Sequence, residues 1–196
     1  MLDMIDLVQE DKVFIGQDFS TVSFTGYSFL NCTFERCIFI DSFWTETKFY
    51  SCIFNACNIS LVKVKETLLQ DVIFTECKLV GIEFYKVNKT FFCISLKQCI
   101  LLNCNFSDLL MKNTVFNDSI LTECYFKNTH LENADFTGTN LEGTVFRNCN
   151  LTKANFSSAK NYAIDVSINN IKRAIFSYPD VMNLLKYFDI VINYKQ

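Results

Sequence analysis

The chain has 196 residues, half of them hydrophobic, with Phe occurring 21 times, Pro once and Gly five times. That is the length of one ordinary domain with ample core material, and it excludes a loop-rich or collagen-like chain. The formal charge of −3 comes with no basic patch of the kind that marks a nucleic-acid binder, and no apolar run reaches the roughly 18 residues of a membrane-spanning helix.

The first residues, Met1-Leu2-Asp3-Met4-Ile5-Asp6, are acidic where a secretory signal is basic, so a cytoplasmic protein is expected. Residues 1–12 read as an N-terminal cap. A period of five residues then takes over. Every fifth residue from Phe14 to Phe84 is large and apolar, including Trp44, Ile59, Val64, Leu69 and Leu79. The series slips by two residues and resumes from Phe91 through Leu96, Leu101, Phe106 and Met111 to Phe156. We call this position the centre; it is filled without exception in all 29 units. Two residues before it stands a second restricted position, held by Cys, Ser, Thr and Ala. Nine of the ten cysteines fall there, Cys93 being the exception. Free Cys packs as a small hydrophobe, so these residues read as core spacers rather than disulfides or metal ligands. There is no CxxC pair and His130 is the only histidine, so neither a metal nor a cofactor is expected.

Residues two apart on a strand face the same side, so the centre and the small residue before it point inward together. If each unit turns about 90°, four units close a square coil, and coils stack at the sheet spacing of about 4.8 Å. Steps of 20 residues then align columns such as Phe14, Phe34, Phe54 and Phe74, or Phe106, Phe126 and Phe146. The expected fold is an all-β solenoid of about seven coils and about 35 Å, over residues 13–160. A small bulge is expected at Tyr85, Lys86, Val87, Asn88 and Lys89. Such interruptions often carry function.

The rhythm ends after Ala159, and residues 161–196 read as a C-terminal helical cap and dimerisation segment. Asp165 is placed to cap a short helix near 166–173. Ser177-Tyr178-Pro179-Asp180 fits a capping box before a helix over 181–188, and Ile190-Val191-Ile192 fits a final strand. The candidate dimer interface is Val181, Leu184, Leu185, Phe188, Ile190 and Ile192, since an isologous dimer is the commonest symmetric assembly.

Asn133-Ala134-Asp135-Phe136-Thr137 and Lys153-Ala154-Asn155-Phe156-Ser157 match the consensus A(D/N)LXX. The chain thus resembles the pentapeptide-repeat family, which implies a right-handed quadrilateral β-helix. The size, the single main interruption and the segment from Asn169 to Ile192 resemble the Qnr quinolone-resistance and McbG-type immunity proteins. That resemblance implies a homodimer joined through the C-terminal segment, a DNA-mimicking rod, and binding to DNA gyrase or topoisomerase IV that protects against topoisomerase poisons. It implies no direct contact with nucleic acid or membrane.

Two features depart from that pattern. The insertion is short, and residues 1–165 carry a net charge of only −5. Duplex DNA carries a charge every 1.7 Å or so, hence about 20 over such a rod. The candidate acidic surface is Asp108, Asp118, Glu123, Glu132, Asp135 and Glu142, all at outward positions. Acids gathered on one face would favour topoisomerase binding. Mixed charge would favour a scaffold for a different protein partner. No convergent catalytic constellation occurs, so the chain is not expected to be an enzyme. Gly138–Gly143 mimics the start of a phosphate loop but lacks its Lys.

Overall fold

The computed structural model describes residues 6–188, 190, 191 and 193. They form a β-solenoid of about eight turns. Strands mostly three residues long stack in parallel, in register, at steps of 20 residues. One column joins Val8–Glu10, Ser28–Leu30, Lys48–Tyr50 and Leu68–Gln70. The next runs from Val13–Ile15 through Thr33–Glu35, Ile53–Asn55 and Val72–Thr75 to Ile94–Lys97. A third joins Asn58–Ser60, Lys78–Val80, Ile100–Leu102 and Ile120–Thr122, and a fourth Tyr125–Lys127, Val145–Arg147 and Ala163–Ile164. We number the four sides by the centres Phe14, Phe19, Phe24 and Phe29.

Every expected centre is buried except Phe91, which is 72% exposed. The rings stack along the rod: Phe116, Phe136, Phe156 and Phe176 follow one another at 4.7, 4.9 and 5.1 Å with their planes nearly parallel. Rings on opposite sides meet edge-on, as Phe116 and Phe126 do at 5.9 Å and 86°. Both arrangements suit the aromatic quadrupole.

The corners explain the spacer position. At tight corners the spacer N–H bonds the preceding centre carbonyl, as in Thr139 N to Phe136 O at 3.1 Å. At wide corners that bond is absent, and the spacer side chain of the next coil replaces it. Thr144 Oγ1 accepts from Cys124 N at 3.3 Å and donates to Leu121 O at 2.7 Å. Cys77 Sγ does the same with Cys57 N and Phe54 O. Small side chains with one polar atom therefore serve as backbone partners inside the core. All ten cysteines are free, and Cys93 alone is exposed. Hydrogen bonds with the stacked thiols of Cys57 and Cys99, and then burial, push the Cys77 thiol well up.

Nearly every corner carries a residue with positive φ two places after the centre, among them all five glycines; the corner after Phe84 is a 3-10 turn over Phe84–Lys86 instead. Asn and Asp are frequent there because they tolerate this backbone best. Gly138 has a second reason: a Cβ would collide with Asp118 Oδ1 on the coil below.

Four expectations need correction. The rod begins before residue 13, since Val8–Glu10 pairs with Ser28–Leu30. It also continues past residue 160. Ala163–Ile164 pairs with Val145–Phe146, and Ile175–Phe176 with Asn155–Phe156. The first of these pairings steps 18 residues and the second 20, so the last coil loses two residues and regains them. No helix forms near 166–173. Asp165 Oδ1 instead closes a local turn, accepting from Ser167 N at 2.9 Å and Oγ at 2.6 Å. The terminal helix does form, over Asp180–Tyr187, but as a 3-10 helix without a side-chain cap. Ser177 Oγ is used elsewhere, accepting from Ser158 N at 3.0 Å.

Candidate functional site

On each strand the residues before and after the centre point outward and stack into ladders. These ladders, the corners and the rod's irregularities are what a partner meets. The six candidate acids do not share a side. Asp135 lies on side one and Glu142 on side two. Asp118 is at the corner between sides one and two, and Glu123 at the corner between two and three. These four are near neighbours: Asp118 N bonds Thr137 O at 3.0 Å and Glu123 N bonds Glu142 O at 3.0 Å. Asp108 and Glu132 lie around the rod and are engaged locally. Asn128 Nδ2 donates to Asp108 Oδ1 at 2.9 Å. Lys112 forms an ion pair with Glu132 at 2.8 Å, which lowers the Glu132 carboxyl pKa.

Bases interleave with acids all along the rod. Side three mixes Glu46, Glu66 and Glu83 with Lys63, Lys65 and Lys86, while side four sets Lys48, Lys112 and Lys153 against Glu10, Asp71 and Glu132. No side is uniformly acidic. The rod does not reproduce the dense single-sign charge of duplex DNA.

The main interruption starts at the end of Tyr85–Lys89 and runs beyond it. Coils are still in 20-residue register at Asn88, whose N–H bonds Thr67 O at 2.9 Å. From Val72 opposite Ile94 the step is 22. The two extra residues therefore fall within 89–93. Phe91, expected as a centre, projects outward with positive φ, and Phe92 packs on the core instead. Paired Phe residues make the centre ambiguous in sequence. Tyr85–Lys89 instead line a groove of about 520 Å³ with Lys65 and Glu66. At its rim Lys86 Nζ lies 2.5 Å from Glu83 Oε2 and Tyr85 Oη donates to Glu83 Oε1 at 2.8 Å. The Lys86 hydrogen bond holds the Glu83 carboxyl below its usual range. On the other flank a recess of about 240 Å³ includes Asp71, Ile73, Cys93, Ser95 and Val115. Burial, with Asp71 alongside, raises the Cys93 thiol pKa.

At the C-terminal end, Leu184 is buried and Val181 packs on the same core, so both serve their own rod. Leu185 is half-buried. Phe188, Ile190 and Val191 are 47%, 54% and 97% exposed. Ile192 lies outside the described residues, and 190 and 191 are not in a strand. No cluster of metal-ligating side chains occurs among the described residues. Among the described residues no helix is long and apolar enough to cross a membrane.

The comparisons agree with this geometry. A model of pentapeptide repeat regions matches residues 27–91, and a model of eight pentapeptide repeats matches 99–138 and 129–160. No curated protein matches the chain in sequence. Among solved structures, a trypsin-treated variant of QnrB1, a plasmid-mediated fluoroquinolone resistance protein, superposes with a TM-score of 0.63. It is 15% identical, covering 95% of this chain and 100% of that one. A second trypsin-treated QnrB1 variant gives 0.57 at 16% identity, covering 95% and 92%. Repeat, coil geometry and family models converge: the chain belongs to the pentapeptide-repeat proteins, with a rod that resembles QnrB1 in fold.

Proposed function

We propose that the chain acts as a non-enzymatic protein-binding rod whose main contact lies at the 89–93 interruption. The observation that carries this reading is Phe91. It is a large apolar side chain 72% exposed on the insertion that lengthens the coil step from 20 to 22 residues. Lys89, two residues earlier in the chain, belongs to the lining of the 520 Å³ groove of Tyr85–Lys89. Aromatic side chains next to a concavity are frequent binding anchors, and solenoid interruptions are where a repeat departs from its own rules. The test compares partners captured by the wild-type chain and by Phe91→Ser. Loss of the same specific partner in the variant, with unchanged circular dichroism, supports the site. An unchanged partner set overturns it.

The partner class nominated by the QnrB1 likeness is a type II topoisomerase, bound so as to relieve a fluoroquinolone. The end-to-end match favours it, and the interleaved charge favours a different protein partner. A DNA gyrase supercoiling assay with and without a fluoroquinolone separates the two. Relief of drug inhibition supports the topoisomerase reading. Inhibition without relief indicates a gyrase binder that does not protect. No effect at micromolar protein leaves a different partner as the reading.

A further inference from the structure

Charge is interleaved around the rod but not along it. Residues 6–46 hold seven acids and two bases, net −5. Residues 47–142 hold ten and nine, net −1, and residues 143–175 hold one acid and five bases, net +4. The edge between sides four and one concentrates this gradient. Asp11 and Arg173 occupy its positive-φ corner at opposite ends. Glu10 stands beside Asp11, and Lys172 and Lys153 beside Arg173, with Lys153 N bonding Lys172 O at 2.9 Å. None of these five charges forms an ion pair among the described residues. The ladder of side one, two residues further on, fixes the levels. It climbs from Val13 to Ser95 in four steps and from Ser95 to Ile175 in four more. Cys93, two residues before Ser95, is therefore the midpoint of the edge.

We propose that two copies of this chain pack antiparallel along this edge, about a two-fold axis that crosses the rod at Cys93. The axis lies between the copies and runs across both rods. It sets each residue of the edge against the one equally far beyond Cys93 on the other copy. Asp11 then meets Arg173, and Asn31 meets Lys153. Ser51 meets Asn133, and Asp71 meets Asn113, polar against polar. On the side-four flank Glu10 meets Lys172. On the side-one flank Val13, 62% exposed, meets Ile175, 53% exposed, and Ile73 meets Val115. Outside the insertion no rung of the edge or its two flanks sets like charges together. This self-complementary charge selects a second copy as the occupant. Phe91 lies between Asn88, still in register on side four, and Cys93, so it stands beside the axis and the two phenyl groups meet. The inference thus rests on the reading of 89–93 as the main contact and names its partner. The apolar pairs supply the affinity. The exposed ion pairs, weak individually, fix the antiparallel register.

The experiment uses the full chain. Sedimentation equilibrium of the wild type gives twice the monomer mass at tens of micromolar. Arg173→Asp, which sets acid against Asp11 at both ends of the seam, weakens the dimer at least tenfold. Arg173→Asp combined with Asp11→Arg restores it. Oxidised glutathione links Cys93 to Cys93 across the axis, the two thiols giving one disulfide and releasing two glutathione thiols. Ser51→Cys in a Cys93→Ser background does not link to itself, because four coil spacings, about 19 Å, separate the two copies of that position. A dimer that ignores Arg173→Asp and is lost on Phe188→Ser is joined end to end and overturns the proposal. A monomeric wild type also overturns it. In that case a different protein captured by the wild type and lost on Phe91→Ser preserves the reading of 89–93 as a contact, and an unchanged partner set removes that reading too.

Discussion

Thr144 and Thr139 are both buried threonines at the spacer position, and the corners around them make opposite demands. Thr144 Oγ1 is the partner of two buried backbone groups, Cys124 N and Leu121 O. Thr144→Val keeps the shape and removes both bonds. A buried backbone group left without a partner costs about 1–3 kcal/mol, so the two together lower stability by about 2–6 kcal/mol. Thr139 Oγ1 bonds Phe136 O at 2.6 Å, but that carbonyl already accepts Thr139 N at 3.1 Å. Thr139→Val orphans nothing and loses under about 1 kcal/mol. Thr144→Cys keeps a weak donor and acceptor and falls between. Urea unfolding followed by circular dichroism compares the three, with midpoints interpreted only where the slopes agree. Equal losses for the two valine variants would refute the claim that spacer side chains stand in for a turn bond at wide corners.

Other expectations follow from single contacts. Phe54→Ala removes a fully buried ring stacked between Phe34 at 4.7 Å and Phe74 at 5.0 Å. It destabilises by about 3–5 kcal/mol in the same assay, or prevents folding. Of the ten thiols, only Cys93 reacts with a thiol reagent in the folded protein, and all ten react in denaturant. Its reaction rate rises only at alkaline pH, because burial raises its pKa. The lowered Glu132 carboxyl contributes stability that is present above its unfolded pKa and is lost as pH falls through the folded value. Lys112→Ala returns its titration, followed by carboxyl NMR shifts, to the usual range. Deleting Thr90 and Phe91 restores the 20-residue step, so the circular dichroism spectrum is retained while the partner captured through Phe91 is lost.

The acids show the limit of sequence reasoning most clearly. Their outward placement follows from the repeat, because a residue's offset from its centre fixes which way it points. Their failure to form one surface follows from how many corners separate them, and that depends on the coil. The interruption has a similar history. The slip of two residues is visible in sequence, but Phe91 and Phe92 are equally good centres on hydrophobicity, and only the backbone path decides between them. The last coil was hidden because Ile164 and Phe176 belong to units of altered length. Phe176 does stand 20 residues after Phe156 and was detectable on that ground.

The sequence by itself determined that this protein is a stacked solenoid and which residues fill it. A five-residue period with two restricted positions is compatible with little else, and burial of those positions is a local consequence of side-chain direction along each strand. The tertiary structure decided the rest: where the rod begins and ends, which phenylalanine leaves the core, that Leu184 caps its own rod, and that charge is interleaved around all sides. These depend on which coil lies above which, a long-range relation that no local pattern encodes once a unit gains or loses two residues.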